Sequence, residues 1–146
     1  MRSASARQPR ERLAPSASLL KRARTASAAV ATIRAGVPVK LVERLAAKLE
    51  VPRGQIFALL GVAERTAPRR VAAGVLKPVE SDRFYRLDRI VALAQDAIGD
   101  AAKARGWMKR SNRALGGETP LEFLDTEAGA QEVENLLQQI KHGLFT

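Results

Sequence analysis

The chain has 146 residues, a formal net charge of +10 and no cysteine, so it holds one ordinary domain or two small ones without disulfides or thiolate metal sites. Apolar residues make up 46% but aromatic residues only 4%, and this alanine-rich composition favours helix. The positive charge points to an anionic partner such as nucleic acid, whereas no apolar run approaches the roughly 20 residues of a membrane span, and we expect a soluble, cytoplasmic protein.

Residues 1–30 are rich in serine, alanine and arginine, and Glu11 is their one acidic residue. Their weak hydrophobic periodicity predicts a flexible basic arm. The same composition is also typical of an organelle transit peptide, which is the alternative for this segment.

Two short helices are predicted between Gly36 and Gly61, the glycine that ends the second helix. Pro38 suits the first turn of the first helix. The dipeptide Val51-Pro52 separates the two helices, because proline disfavours helix in the residue before it. The apolar stripes recur at three- and four-residue steps and comprise Leu41, Val42, Leu45 and Leu49 in the first helix and Ile56, Leu59 and Leu60 in the second.

A third short helix follows, and Pro68 constrains where it begins. A start at Ala63 would place Pro68 inside the helix and kink it. A start at Thr66 places Pro68 in the first turn, where a missing N–H has no consequence. We prefer the start at Thr66, or a bent helix, with Gly74 as the end.

Four more helical segments are predicted beyond Gly74, and no stretch alternates convincingly like a β-strand. Gly99 and the pair Gly116-Gly117 interrupt the pattern as turn signals. The segments open at Ser81-Asp82, Asp100, Thr119-Pro120 and Thr126; the first extends to about Ile98, the second carries Trp107 and Met108, the third ends at Leu124 and the fourth ends near His142 and Gly143.

The residue patterns of common catalytic sites are missing from the sequence. Its single histidine, His142, cannot form a histidine cluster, and no segment has the spacing of a calcium loop. There is neither a glycine-rich phosphate loop nor a nucleophile-elbow motif. We therefore expect no enzymatic activity and no bound metal or cofactor.

Charge is divided unevenly along the chain. Residues 117–146 contain six acidic residues and one basic residue, a balance of −5, whereas residues 1–40 contain nine basic residues and one acidic residue, a balance of +8. This division predicts two different partners, a polyanion for the basic body and another protein for the acidic C-terminal segment.

The two short helices on either side of Leu60, Gly61 and Val62 match a helix-turn-helix in length and turn chemistry. The second helix of such a unit enters the DNA major groove with its first residues toward the bases. Arginine binds guanine or phosphate there, and threonine can bind either. The alternative is a solvated basic face that never meets DNA. The candidate DNA-binding residues are Arg65, Thr66, Arg69 and Arg70.

A distinctive block near the C-terminus spans residues 111–130 and reads SNRALGGETPLEFLDTEAGA. It continues with Val133, Leu136-Leu137, Ile140 and Gly143 at helical spacing. This block resembles the signature of Xre/MbcA/ParS-type antitoxins, and the resemblance extends upstream to about residue 35. It implies an all-α fold, in which an Xre-like helix-turn-helix bundle at residues 31–80 is followed by a helical toxin-binding region at residues 81–146.

The resemblance also implies a function. Antitoxins of this type neutralise a RES-type toxin that acts on NAD, and their C-terminal segment reaches the NAD pocket of the toxin and blocks it. Members commonly form homodimers, bind operator DNA and repress their own operon. The alternative is a stand-alone helix-turn-helix transcription regulator whose C-terminal helices serve only dimerisation.

The candidate toxin-binding residues lie at and after the block. Leu144 and Phe145 follow the helix stop at Gly143, so they have little core to join and suit insertion into a partner's pocket. Leu121 is a residue type more often found in a core, and His142 suits a helix C-terminus. The complete set is Leu121, Glu122, His142, Gly143, Leu144, Phe145 and Thr146.

Overall fold

The computed structural model describes residues 26–143, and these residues confirm the all-α prediction. Their pairing between extended segments is limited to an isolated antiparallel bridge between Pro38 and Val75. Two 3₁₀ helices, Arg113–Leu115 and Glu122–Asp125, lie before the last α-helix. The α-helices are α1 (Ala26–Ala35), α2 (Val39–Leu49), α3 (Arg53–Leu59), α4 (Ala67–Ala73), α5 (Pro78–Ile98), α6 (Ala101–Met108) and α7 (Glu127–Lys141).

The short helices of the first half form where proline and glycine predict them. Pro38 and Pro52 stand immediately before α2 and α3. Pro68 is the second residue of α4, which confirms the start at Thr66. The N–H groups of Thr66 and Ala67 both bind the carbonyl of Ala63, so one helical turn precedes α4 at the position of the alternative start.

Helix α5 begins at Pro78, three residues before the predicted start at Ser81. Pro78 suits the first helical position, and the Glu80 carboxylate accepts the N–H of Lys77 at 2.9 Å, which satisfies one free donor of the first turn. Ser81 is not a cap, because its hydroxyl is fully buried and accepts the N–H of Val37 at 2.9 Å. The predicted start was wrong because a contact distant in sequence uses this serine.

The region assigned to the basic arm overlaps a helix. Residues 26–30 form the first half of α1, whereas residues 1–25 lie outside the described residues. No residue of α1 is fully buried, so its sequence shows no strong apolar periodicity that would predict a helix. Its high alanine content supplies helix propensity instead.

One continuous hydrophobic core joins the two halves of the described chain. Helix α5 lies at its centre and packs against α1, α6 and α7. The second 3₁₀ helix packs against both α3 and α7, so the C-terminal block contacts the helix-turn-helix directly. The largest buried side chains are those of Leu45, Leu49, Ile56, Phe57, Leu60, Phe84, Ile90, Met108, Leu121 and Leu137.

Candidate functional sites

The turn between α3 and α4 is held by an arginine of α5. Arg83 Nη1 donates to the carbonyl of Leu60 at 3.0 Å, at the end of α3. Gly61 follows with φ +80°, and a Cβ at this position would collide with the Arg83 guanidinium. The left-handed turn favours glycine at this position, and the missing side chain leaves room for Arg83.

Helix α4 is fixed by an ion pair between Arg70 and Glu80. The guanidinium donates from Nε and Nη2 to the two carboxylate oxygens at 2.7 and 2.8 Å, and the two side chains are only 12% and 10% exposed. The hydrogen bond from Arg70 holds the pKa of the Glu80 carboxyl below its usual value, although partial burial acts in the opposite direction. The same hydrogen bond raises the pKa of Arg70.

The four predicted DNA-binding residues fall into two groups. Arg65 and Arg69 are exposed and make no ion pair within residues 26–143, while Thr66 is half-buried at the start of α4. Arg70 differs, because its guanidinium donates two hydrogen bonds to the Glu80 carboxylate of the same chain. Arg70 thus holds α4 against Glu80, and its role in DNA binding stays a prediction.

Two of the acidic side chains of α7 form ion pairs with arginines of α5. Glu127 accepts Arg86 at 2.7 Å, Glu134 accepts Arg89 at 2.6 Å, and Lys141 pairs with Asp96 at 2.7 Å. The partners follow the same order along both helices, so α5 and α7 run parallel. Two of the acidic residues of the C-terminal segment thus form ion pairs within the protein.

Three other carboxylates surround an open cleft beside Phe123. Glu118, Asp125 and Glu132 are exposed, form no ion pair among the described residues, and line a recess of about 380 Å³ that we name the acidic cleft. Gly129 forms its floor, where a Cβ would collide with the carbonyl of Phe123. The charge balance of residues 117–146 included these three carboxylates, but the sequence pattern did not group them into one site. A usable signal was the three-residue spacing of Gly129 and Glu132, which places both on one side of α7, with Asp125 just before the helix.

The predicted toxin-binding residues are divided by burial. Leu121 is 1% exposed and its N–H donates to the carbonyl of Met108 at 3.0 Å, so its assignment to a binding surface was wrong. The hydrophobic core takes this side chain because the block folds back onto α6. Glu122 is exposed, but its carboxylate accepts the Thr119 N–H at 3.0 Å while its own N–H donates to the Thr119 hydroxyl at 3.1 Å. Hydrogen bonding to its carboxylate, first from the Thr119 N–H and then from the Thr119 side chain, holds the pKa of Glu122 below its usual value.

The end of α7 matches the predicted helix stop. His142 is exposed just after the helix, and Gly143 has φ +68°. The remaining candidates, Leu144, Phe145 and Thr146, lie outside the described residues.

Within residues 26–143, no helix has the combination of length and apolar character that crossing a membrane requires. In the same range, no three potential metal-binding side chains are grouped together.

Comparison with known proteins places both halves of the chain. Residues 28–89 match the antitoxin Xre-like helix-turn-helix domain, and residues 93–143 match the C-terminal toxin-binding domain of Xre/MbcA/ParS antitoxins. The chain is 38% identical to Antitoxin Xre of Photorhabdus laumondii, over 80% of both chains. It is 33% identical to Antitoxin Xre of Yersinia enterocolitica, again over 80% of both.

A more distant relative, the Prs ADP-ribosylating antitoxin of a Sphingobium species, is 27% identical over 80% of this chain and 79% of its own. The family matches confirm the resemblance of the terminal block and the helix-turn-helix. The chain belongs to the Xre/MbcA/ParS antitoxin family and carries a helix-turn-helix domain followed by a toxin-binding domain.

Proposed function

We propose that this antitoxin neutralises a RES-type toxin that consumes NAD, and that it has no enzymatic activity of its own. The match of residues 93–143 to a toxin-binding domain is the observation that carries the proposal. The Sphingobium relative is named for ADP-ribosylation. ADP-ribosyl transfer uses NAD as its donor, so a partner with this chemistry fits the same class of toxin. The toxin would meet the antitoxin in the cytoplasm.

In this proposal, the antitoxin neutralises the toxin by occluding the toxin's NAD pocket. A pocket that binds the diphosphate of NAD carries cationic groups, and the acidic cleft offers three exposed carboxylates of the opposite charge. Leu144 and Phe145 follow α7 and supply apolar side chains that can fill the pocket. The cleft orients the antitoxin on the toxin, and the segment after Gly143 excludes NAD.

The helix-turn-helix binds operator DNA and represses the operon. Arg69 and Arg65 are the cations available to phosphates or guanine bases, with Thr66 between them, and Arg70 holds α4 in position through Glu80. The chain acts as a homodimer, since two-fold symmetric helix-turn-helix proteins read two half-sites. Val75 and Val79, which are 43% and 62% exposed beside α4, supply apolar surface for this contact.

Co-purification with the product of the adjacent reading frame, followed by mass measurement of the complex, tests the proposal. A stable complex whose isolated partner consumes NAD is the expected result. An antitoxin that elutes alone, beside a neighbour without NAD-consuming activity, would favour the stand-alone transcription regulator.

A further inference from the structure

A second recess lies between the end of α6 and the C-terminal half of α7. It has a volume of about 480 Å³, and we name it the Trp107 groove after the indole that lines one wall. Leu136 and Ile140 of α7 form the facing wall. Trp107 and Ile140 pack against the core but are only partly buried, so apolar surface remains exposed inside the groove.

The backbone along the edge of the groove has its hydrogen bonds satisfied. The side-chain oxygen of Asn112 accepts the N–H of Ala114 at 2.9 Å. The backbone carbonyl of Asn112 accepts the N–H groups of Leu115 and Gly117, each at 3.0 Å. The Asn112 N–H in turn donates to the carbonyl of Glu118 at 2.9 Å. The side chains of Ser111 and Arg113 add polar groups at this edge, whereas Trp107, Leu136 and Ile140 form apolar walls that can take an apolar side chain.

The path of the chain leads back toward this groove. The N–H of His142 donates to Gln138 and that of Gly143 to Ile140, at 3.0 and 3.1 Å, and Gly143 has φ +68°. A left-handed glycine after a helix turns the following residues back across the last helical turn. That turn contains Ile140, a wall of the groove. Each residue spans at most about 3.5 Å, so two residues beyond Gly143 are long enough to reach that wall.

We propose that Leu144 and Phe145 dock in the Trp107 groove of their own chain when no toxin is bound. Docking covers the exposed edges of Trp107 and Ile140 and shelters two apolar side chains from water. The inference concerns the free antitoxin and stands without the proposed function. Only its consequence, that the toxin competes with the groove for this segment, rests on that function.

Fluorescence of the free antitoxin tests the docking, because Trp107 is the single tryptophan of the chain. In the Phe145→Ala variant, the Trp107 emission should move to longer wavelength and acrylamide quenching should increase. Gln139→Ala, at an exposed position of α7 outside the groove, is the control and should leave both unchanged. Identical emission and quenching in the parent and Phe145→Ala would overturn the proposal. So would a difference that appears only at high protein concentration, because the groove would then hold a second copy.

Disulfide trapping provides a second measurement that keeps Phe145 in place. The chain has no cysteine, so the pair Ala114→Cys and Leu144→Cys introduces the only two thiols. Ala114 lines the groove, whereas the exposed Ala102 on α6 does not and serves as the control position with Leu144→Cys. We expect rapid intrachain oxidation of the first pair and slow oxidation of the control. Equal rates, or disulfides only between chains, would contradict docking whether or not the toxin proposal holds.

Discussion

Arg70 of α4 and Glu80 of α5 face each other across the Gly74 turn and form two hydrogen bonds of 2.7 and 2.8 Å. Helix α4 has no buried residue of its own, so it gains little from hydrophobic packing. Its other fixed point is the carbonyl of Gly74, which accepts the N–H of Val39 at 3.0 Å. The position of α4 therefore depends strongly on this shielded ion pair.

Removal of this ion pair should destabilise the protein. Glu80→Ala leaves Arg70 largely shielded without a partner, and we expect the free energy of unfolding to fall by about 2 kcal/mol in urea titration. The control is Glu43→Ala, which breaks the ion pair with Arg53, where the side chains are about half exposed. Such a surface pair contributes less than about 1 kcal/mol. Equal losses in the two variants would contradict the anchoring role of Glu80.

The same ion pair predicts a dependence of stability on pH. The pKa of Glu80 is lowered in the folded protein, mainly by the hydrogen bond from Arg70. Its contribution is complete above the usual carboxyl pKa of about 4.3 and is lost as the pH falls through the lowered value. In urea titrations between neutral and acidic pH, Glu80→Gln should lose less stability on acidification than the parent. Parallel pH profiles of the two proteins would refute this origin of the acid sensitivity.

Substitutions of Arg69 and Arg70 should have different effects, the first on DNA binding and the second on folding stability. Arg69→Ala should weaken operator binding and reduce the salt dependence by about one phosphate contact, without loss of folding stability. Arg65→Ala should behave in the same way. Arg70→Ala should instead lower the unfolding free energy, because it removes the partner of Glu80. Binding isotherms at several salt concentrations, with Lys103→Ala on α6 as control, measure the difference, and an unchanged slope in Arg69→Ala would exclude it from the interface.

The acidic cleft should determine how fast the toxin binds. Glu132→Lys reverses one of its three carboxylates, and we expect association slowed by about tenfold at low salt, with a smaller effect at high salt. Glu64→Lys makes the same change of two charge units at an exposed position outside the cleft. Stopped-flow or surface binding measurements compare the two variants. If they slow association equally, net charge explains the effect and the cleft has no specific role.

Local signals in the sequence predicted much of the fold. Proline before α2 and α3 and glycine after α4 and α7 act through backbone geometry, which requires no knowledge of distant contacts. The apolar steps from Leu41 to Leu49 were sufficient to predict α2, because the helix buries one face. The terminal block predicted the family because its pattern is specific over about twenty residues.

Long-range contacts account for the remaining differences. Ser81 resembles a helix cap, but the N–H of Val37 uses its hydroxyl. Arg70 and Glu80 are ten residues apart on two different helices, so no helical period joins them. Leu121 could be assigned to the core only once the block was seen to fold onto α6. The acidic cleft could be recognised only in the structure, because the ion pair between Glu127 and Arg86 of α5 shows that this carboxylate already has a partner within the protein.

The most direct measurement is inhibition of NAD consumption by the purified toxin as the antitoxin is titrated. The parent chain should abolish consumption when it saturates the toxin, and excess NAD should delay inhibition because the two compete for one pocket. Phe145→Asp should inhibit far less while it unfolds at the same urea concentration as the parent, and the exposed control Gln139→Ala should match the parent. Full inhibition by Phe145→Asp at the same ratio would contradict occlusion of the pocket by this segment.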